Sequence, residues 1–129
     1  MTEQLTREKI LALQPERELD ALVAEKVMGW EYKDAIYSWG EVLRPSQWIK
    51  PNGWPVDRVS CYSTDTAAVW EVAEQLQKQG YVVCIELLPY EETSVGVYEA
   101  DPANQIAYAK AQTPAEAICK AALLAVMEG

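Results

Sequence analysis

Between residues 81 and 111, three strand-forming runs follow one another with connections too short to cross over a sheet. Tyr81-Val-Val-Cys-Ile-Glu-Leu-Leu88 is β-branched and aliphatic and is closed by Pro89. Val95-Gly-Val-Tyr-Glu-Ala100 is the second run and Ile106-Ala-Tyr-Ala-Lys-Ala111 the third. Parallel neighbours need a dozen or more connecting residues, usually helical, so these runs predict an antiparallel meander. Asp101-Pro-Ala-Asn104 fits a type I turn with proline at its second position. In the third run Ile106, Tyr108 and Lys110 share one face and alanines the other, where a helix can approach closely.

A capped helix flanks the meander on each side. Ahead of it, Val69, Val72, Ala73 and Leu76 recur at the spacing of one buried helical face, and Gly80 follows the last turn. Ser63 or Thr64 is the expected N-cap, with Asp65 favouring the positive end of the helix dipole. Trp70 falls at the margin of the stripe, its indole N–H near water. Behind the meander, Thr113-Pro-Ala-Glu116 reads as a capping box with proline at the first helical position. That helix is apolar on nearly every side from Leu123 to Met127. It is therefore either covered on two faces or available for contact with a second copy.

Upstream, Thr6 caps one or two helical turns. Pro15 is suited to open a second helix with stripe Leu19, Leu22, Val23 and Val27 and stop Gly29. From Trp30 to Cys61 periodicity disappears. Four of the five tryptophans fall here, with three prolines and two glycines. Disordered linkers are poor in aromatics, so an ordered excursion is expected, with short strands around 37–43 and 58–62 and a tight turn at Asn52-Gly53. The fold class is α+β: a mainly antiparallel sheet of three to five strands with helices packed on it. One domain spans residues 1–129, comprising a helical part (1–29), the Trp-rich segment (30–62) and an α-β-β-β-α core (63–129).

The formal charge of −9 opposes unspecific binding to phosphate backbones. Within residues 30–62, however, Lys33, Arg44, Lys50 and Arg58 balance Glu31, Asp34, Glu41 and Asp57, so repulsion of an anion is weakest there. With three scattered cysteines and no histidine, a four-ligand structural zinc site is not expected, and the usual base for a Ser or Cys nucleophile is absent. Buried free thiols are the expected state of Cys61, Cys84 and Cys119. The acidic pair Glu91 and Glu92 falls in a hairpin loop, where solvation is its expected role. No window approaches the ~20 apolar residues of a membrane span and no apolar leader is present, so a cytoplasmic location is expected.

Three blocks together resemble the phage ABA sandwich family. They are Leu19-Asp-Ala-Leu-Val-Ala-Glu-Lys-Val-Met-Gly-Trp30, Tyr62-Ser-Thr-Asp-Thr-Ala-Ala-Val-Trp-Glu-Val72 and Thr113-Pro-Ala-Glu-Ala-Ile-Cys-Lys-Ala-Ala-Leu123. The resemblance implies an α/β/α-type sandwich and life inside an infected or lysogenic bacterium, and it brings no reaction or catalytic residues. The α-β-β-β-α order is shared with double-stranded RNA-binding domains, but in order alone. Their second helix opens on a lysine cluster, this one on Pro114-Ala-Glu116, and nucleic acid is excluded as a partner.

The candidate site is the aromatic segment. Trp30, Trp39, Trp48 and Trp54 would stack on a planar ligand while Arg44, Lys50 and Arg58 hold its phosphate or carboxylate. The competing reading is that these indoles merely roof the sheet edge. A second candidate, an anion at the Ser63-Thr64-Asp65 helix start, competes with capping by the same side chains. The expectation is a phage accessory protein that binds and does not catalyse, without metal or cofactor, sequestering a nucleotide-like host metabolite or defence signal. The alternative is a module that contacts a host or phage protein through the same tryptophans or the last helix.

Overall fold

A computed structural model of the chain describes residues 6–56, 58–87, 89, 92–100 and 103–128. The meander forms as expected from β6 (Tyr81–Glu86), β7 (Thr93–Ala100) and β8 (Ala103–Ala111), antiparallel in the order β6-β7-β8. The third strand starts earlier than its alanine pattern suggests. Asn104 pairs with Glu99 within the ladder, so it is a strand residue and no part of a turn. Asp101 and Pro102 lie outside the described residues, as do Leu88 and Glu91.

The alanine face of β8 does what its small side chains permit. Ala107, Ala109 and Ala111 are buried against α4 (Pro114–Glu128), while Tyr108 and Lys110 face away from it. Val95 and Val97 of β7 complete the buried face, and Tyr81, Val83 and Ile85 of β6 are partly covered there. The opposite face carries Val82, Cys84 and Tyr108, all exposed. At its centre Gly96 sits beneath Tyr98, whose hydroxyl accepts from Gln105 Nε2 at 3.2 Å.

Helix α4 is the centre of the molecule. On its other sides lie α3 (Thr66–Lys78), α2 (Arg17–Lys26) and α1 (Arg7–Ala12). Leu123, Leu124 and Ala125 are fully covered by the chain's own elements. The apolarity of this stretch is therefore spent inside the protein, and only Val126 and Met127 retain surface that a second copy could touch. Burying each leucine contributes about 1.5–3 kcal/mol. One charge is carried into this environment. Lys120 is 4% exposed, and its Nζ donates to Glu116 Oε2 at 2.7 Å and to the Leu11 carbonyl at 3.0 Å. Glu116 thus serves Lys120, while the Thr113 hydroxyl accepts from the Glu116 N–H at 3.2 Å, so only that half of the expected capping box forms.

Two further helix starts differ from the sequence pattern. Thr6 does cap α1, accepting from the Lys9 N–H. Pro15, however, stays in a turn, and α2 begins after Glu16, which makes no side-chain cap bond. Ahead of α3 the cap is Asp65, whose Oδ1 accepts from Ala67 and Ala68 N–H. Ser63 is drawn away to α2. Its N–H (2.7 Å) and its hydroxyl (2.6 Å) both donate to Asp20 Oδ1 in a buried contact across 43 residues.

The Trp-rich segment is ordered into short strands. β1 (Glu31–Lys33), β4 (Gln47–Ile49) and β5 (Pro55–Val56) form one small antiparallel sheet, and β2 (Ile36–Ser38) pairs with β3 (Glu41–Arg44) as a separate hairpin. Residues 58–62 are turn and coil, not strand; their backbone is committed to the tight Ser60–Asp65 turns that lead into α3. Gly53, at φ 86°, takes the left-handed position of the expected turn. No helix of the described residues is long and apolar enough to cross a membrane.

Candidate functional site

The four tryptophans of the segment part company. Trp30 follows the reversal that ends α2, where its N–H returns to the Ala24 carbonyl at 2.8 Å past Gly29 at φ 77°. It is 6% exposed and packs edge-on against Trp48 (centroids 6.5 Å) and Tyr62 (6.2 Å), with Lys50 Nζ 5.4 Å from its ring centroid. Trp48, central in β4, is half-buried between Trp30 and Tyr32, whose ring lies at 5.2 Å. Trp54 sits exposed on the Lys50–Trp54 turn, and Trp39 stands 100% exposed at the tip of the β2–β3 hairpin. The expected cleft of four indoles is thus not assembled. The strand breaks at Pro45 and Pro51 send the chain in separate directions, and only Trp30 and Trp48 meet.

A cleft nevertheless forms beside Trp48. It measures about 660 Å³ and lies between α2 and the segment ahead of Ser63, lined by Arg17, Glu18, Asp20, Trp48, Arg58 and Cys61 among others. Of the seven sequence candidates, Trp48 and Arg58 line it. Trp30 supports Trp48 from the core side, and Lys50 is held over Trp30. Trp39 and Trp54 are not among its lining residues. Neither is Arg44, whose Nη2 donates to the Asp34 carbonyl at 3.1 Å and whose buried Nε has no acceptor.

The contribution of α2 was missed because Arg17 and Glu18 read as ordinary solvated residues. Asp20 carried a signal. It precedes Ala24 and Val27 by four and seven residues, which puts a carboxyl on a buried helical stripe. Its two bonds from Ser63 fix the floor of the cleft. Two arginines and two acidic residues are among its lining residues, so the lining is balanced in charge, with one indole as its large apolar wall.

The second candidate, the α3 N-terminus, is filled from within. Its first free N–H groups go to Asp65, and Ser63 is committed to Asp20. The thiols divide: Cys119 is buried in α4, whereas Cys61 and Cys84 are exposed, so three buried thiols are not found. Cys84 faces the uncovered side of the sheet and Cys61 the cleft rim, positions that no helix roofs. Burial pushes the Cys119 thiol far up, with Asp20 and Glu116 adding to the effect. Burial also raises the Tyr62 hydroxyl, against a hydrogen bond with Ser60 that lowers it. Among the described residues no group of three or more acidic or thiol side chains gathers as a metal cage.

No curated protein and no solved structure matches the chain significantly. The family model described as phage ABA sandwich domain matches residues 21–123, a span that holds α3, the meander and the Trp-rich segment whole, with the second half of α2 and most of α4. The chain belongs to the phage ABA sandwich domain family.

Proposed function

We propose that the protein acts by binding and not by catalysis, holding a small planar anion of nucleotide-like chemistry in the cleft beside Trp48. The observation that carries this reading is the convergence of Arg17, Arg58 and one half-buried indole on a recess of ligand size. The guanidinium groups pair with phosphate or carboxylate oxygens, the Trp48 face receives the ring, and Glu18 accepts from ring amino groups. The lack of any histidine, the usual base for a Ser or Cys nucleophile, favours capture over turnover. In a phage-family protein this chemistry suits withdrawal of a host metabolite or defence signal inside the infected cell.

The test is isothermal titration and tryptophan quenching against nucleoside mono-, di- and cyclic phosphates. A ligand of about 10 μM affinity is expected, weakened tenfold or more by Arg58→Ala and by Arg17→Ala. Trp48→Phe should abolish the quenching while the exposed Trp39, Trp54 and Trp70 remain. Absence of both heat and quenching across the panel would remove the reading. A second reading, contact with a protein, is favoured by the β2–β3 hairpin, whose Ile36, Tyr37, Trp39, Val42 and Leu43 are all exposed.

A further inference from the structure

The β2–β3 hairpin is built against its own folding interest. Ser38 and Glu41 flank a two-residue loop in which Trp39 and Gly40 both have positive φ, 56° and 79°. Glycine or asparagine serves such a loop without strain, whereas a bulky residue there is an outlier. Trp39 recovers none of that cost by packing, since it is wholly exposed. The strands pack chiefly on each other and are apolar on both faces, and an isolated hairpin of this kind is marginal in water. An outlier and an uncovered apolar ribbon in one element point to a partner.

The same chain carries a matching acceptor. β6 pairs with β7 in unbroken register, and among the described residues no strand pairs with its outer edge. Through Tyr81–Glu86 that edge carries no proline, lysine or bulge, and its one charge, Glu86, stands at the end of the strand. Alongside it runs a mainly apolar groove of about 320 Å³ between β6 and α3, walled by Trp70, Ala73, Tyr81, Val83 and Ile85, with Glu74 and Gln77 of α3 also lining it. Trp70 is 56% exposed there.

We propose that the hairpin of one copy adds to the β6 edge of a second copy, with its apolar side chains in the α3 groove. This rests on the reading of the hairpin as a protein-contact surface and names its occupant. Two quantities favour a second copy. Counting a fully exposed aromatic at roughly 150–250 Å², the five hairpin residues offer on the order of 600 Å². Burying half of that twice, with the matching grooves, reaches about 1,200 Å², the lower bound for a stable interface. The hairpin also carries one acid and one base, Glu41 and Arg44, so it brings no net charge to a body of charge −9.

Light scattering of the full chain during size exclusion, at tens of micromolar, tests this. Wild type is expected as a dimer. Trp39→Gly removes the indole and relieves the backbone, so its melting temperature should not fall, while self-association weakens at least about thirtyfold. Trp70→Glu, on an exposed helical position, should weaken it to a similar degree. Mixing the two variants should recover association only in part, because the mixed pair holds one intact hairpin–groove site and one site damaged on both sides. A monomeric wild type overturns the proposal, and so does a dimer that survives Trp39→Gly. Loss with Trp39→Gly but not with Trp70→Glu overturns β6 as acceptor. A monomeric wild type that still captures a purified host protein through Trp39 overturns the second copy while sparing the protein-contact reading.

Discussion

Replacing Asp20 by alanine should unfold the protein more readily than any surface change, for reasons that can be put in numbers. Its Oδ1 accepts the Ser63 N–H at 2.7 Å and the Ser63 hydroxyl at 2.6 Å, and both residues are buried. A hydrogen bond to a charged acceptor contributes about 1.5–3 kcal/mol, and a buried donor left without a partner costs about 1–3 kcal/mol. The hydroxyl can turn partly toward the Glu16 carbonyl, 3.4 Å away, but the N–H has no second acceptor in place. A loss of about 3–4 kcal/mol follows, which for a chain of this length lowers the melting temperature by roughly 10 °C. Ser63→Ala keeps the N–H bond and should lose only ~1.5 kcal/mol. Urea unfolding followed by circular dichroism measures each value. Because the hydroxyl bond is broken in both single variants, the double variant should lose about 1 kcal/mol less than their sum. An Asp20→Ala protein within about 0.5 kcal/mol of wild type, or strict additivity, would refute the latch.

Two other outcomes are expected. The unfolded Cys119 thiol ionises near its ordinary value of 9.0 while the buried one keeps its proton, so the folded state binds more protons and stability falls as pH rises above about 9, by up to about 1.4 kcal/mol per pH unit. Cys119→Ala should flatten that slope, the remaining decline above 10.0 coming from Tyr62, as denaturant curves at several alkaline pH values would show. Gly96→Ala places a Cβ 3.0 Å from both Tyr98 Cε2 and Gln105 Nε2, so both side chains must give by a few tenths of an ångström and their hydrogen bond is strained. A loss of about 1 kcal/mol is expected, and it should vanish in a Tyr98→Ser background.

Where residue chemistry and local period agree, the sequence reading of the fold holds. The alternating Ile106–Ala111 run, the Thr113 start and the Val69–Leu76 stripe each name their own partners by size and spacing. The misplacements at the helix starts share one physical source, competition from a stronger partner outside the cap itself. Ser63 is a sound N-cap by type, but Asp20 offers its N–H and hydroxyl one strong buried acceptor, and the cap falls to Asp65. Glu116 could return to its cap but finds Lys120 one turn on. The site was half legible. Trp48 and Arg58 belong to the aromatic segment that composition singles out, whereas Arg17 and Glu18 reach the cleft only because α2 is docked there.

Helix α4 is the hub around which α1, α2, α3 and the meander gather, and it follows all of them in chain order. A ribosome must therefore release the surrounding pieces before their common axle exists. The Lys120–Leu11 tie closes across 109 positions, so neither half can be finished early. With contacts so far apart in sequence, the chain is expected to fold slowly relative to bundles of neighbouring helices. Any product cut short before Pro114 is an open shell, exposed to host proteases from the moment it is made.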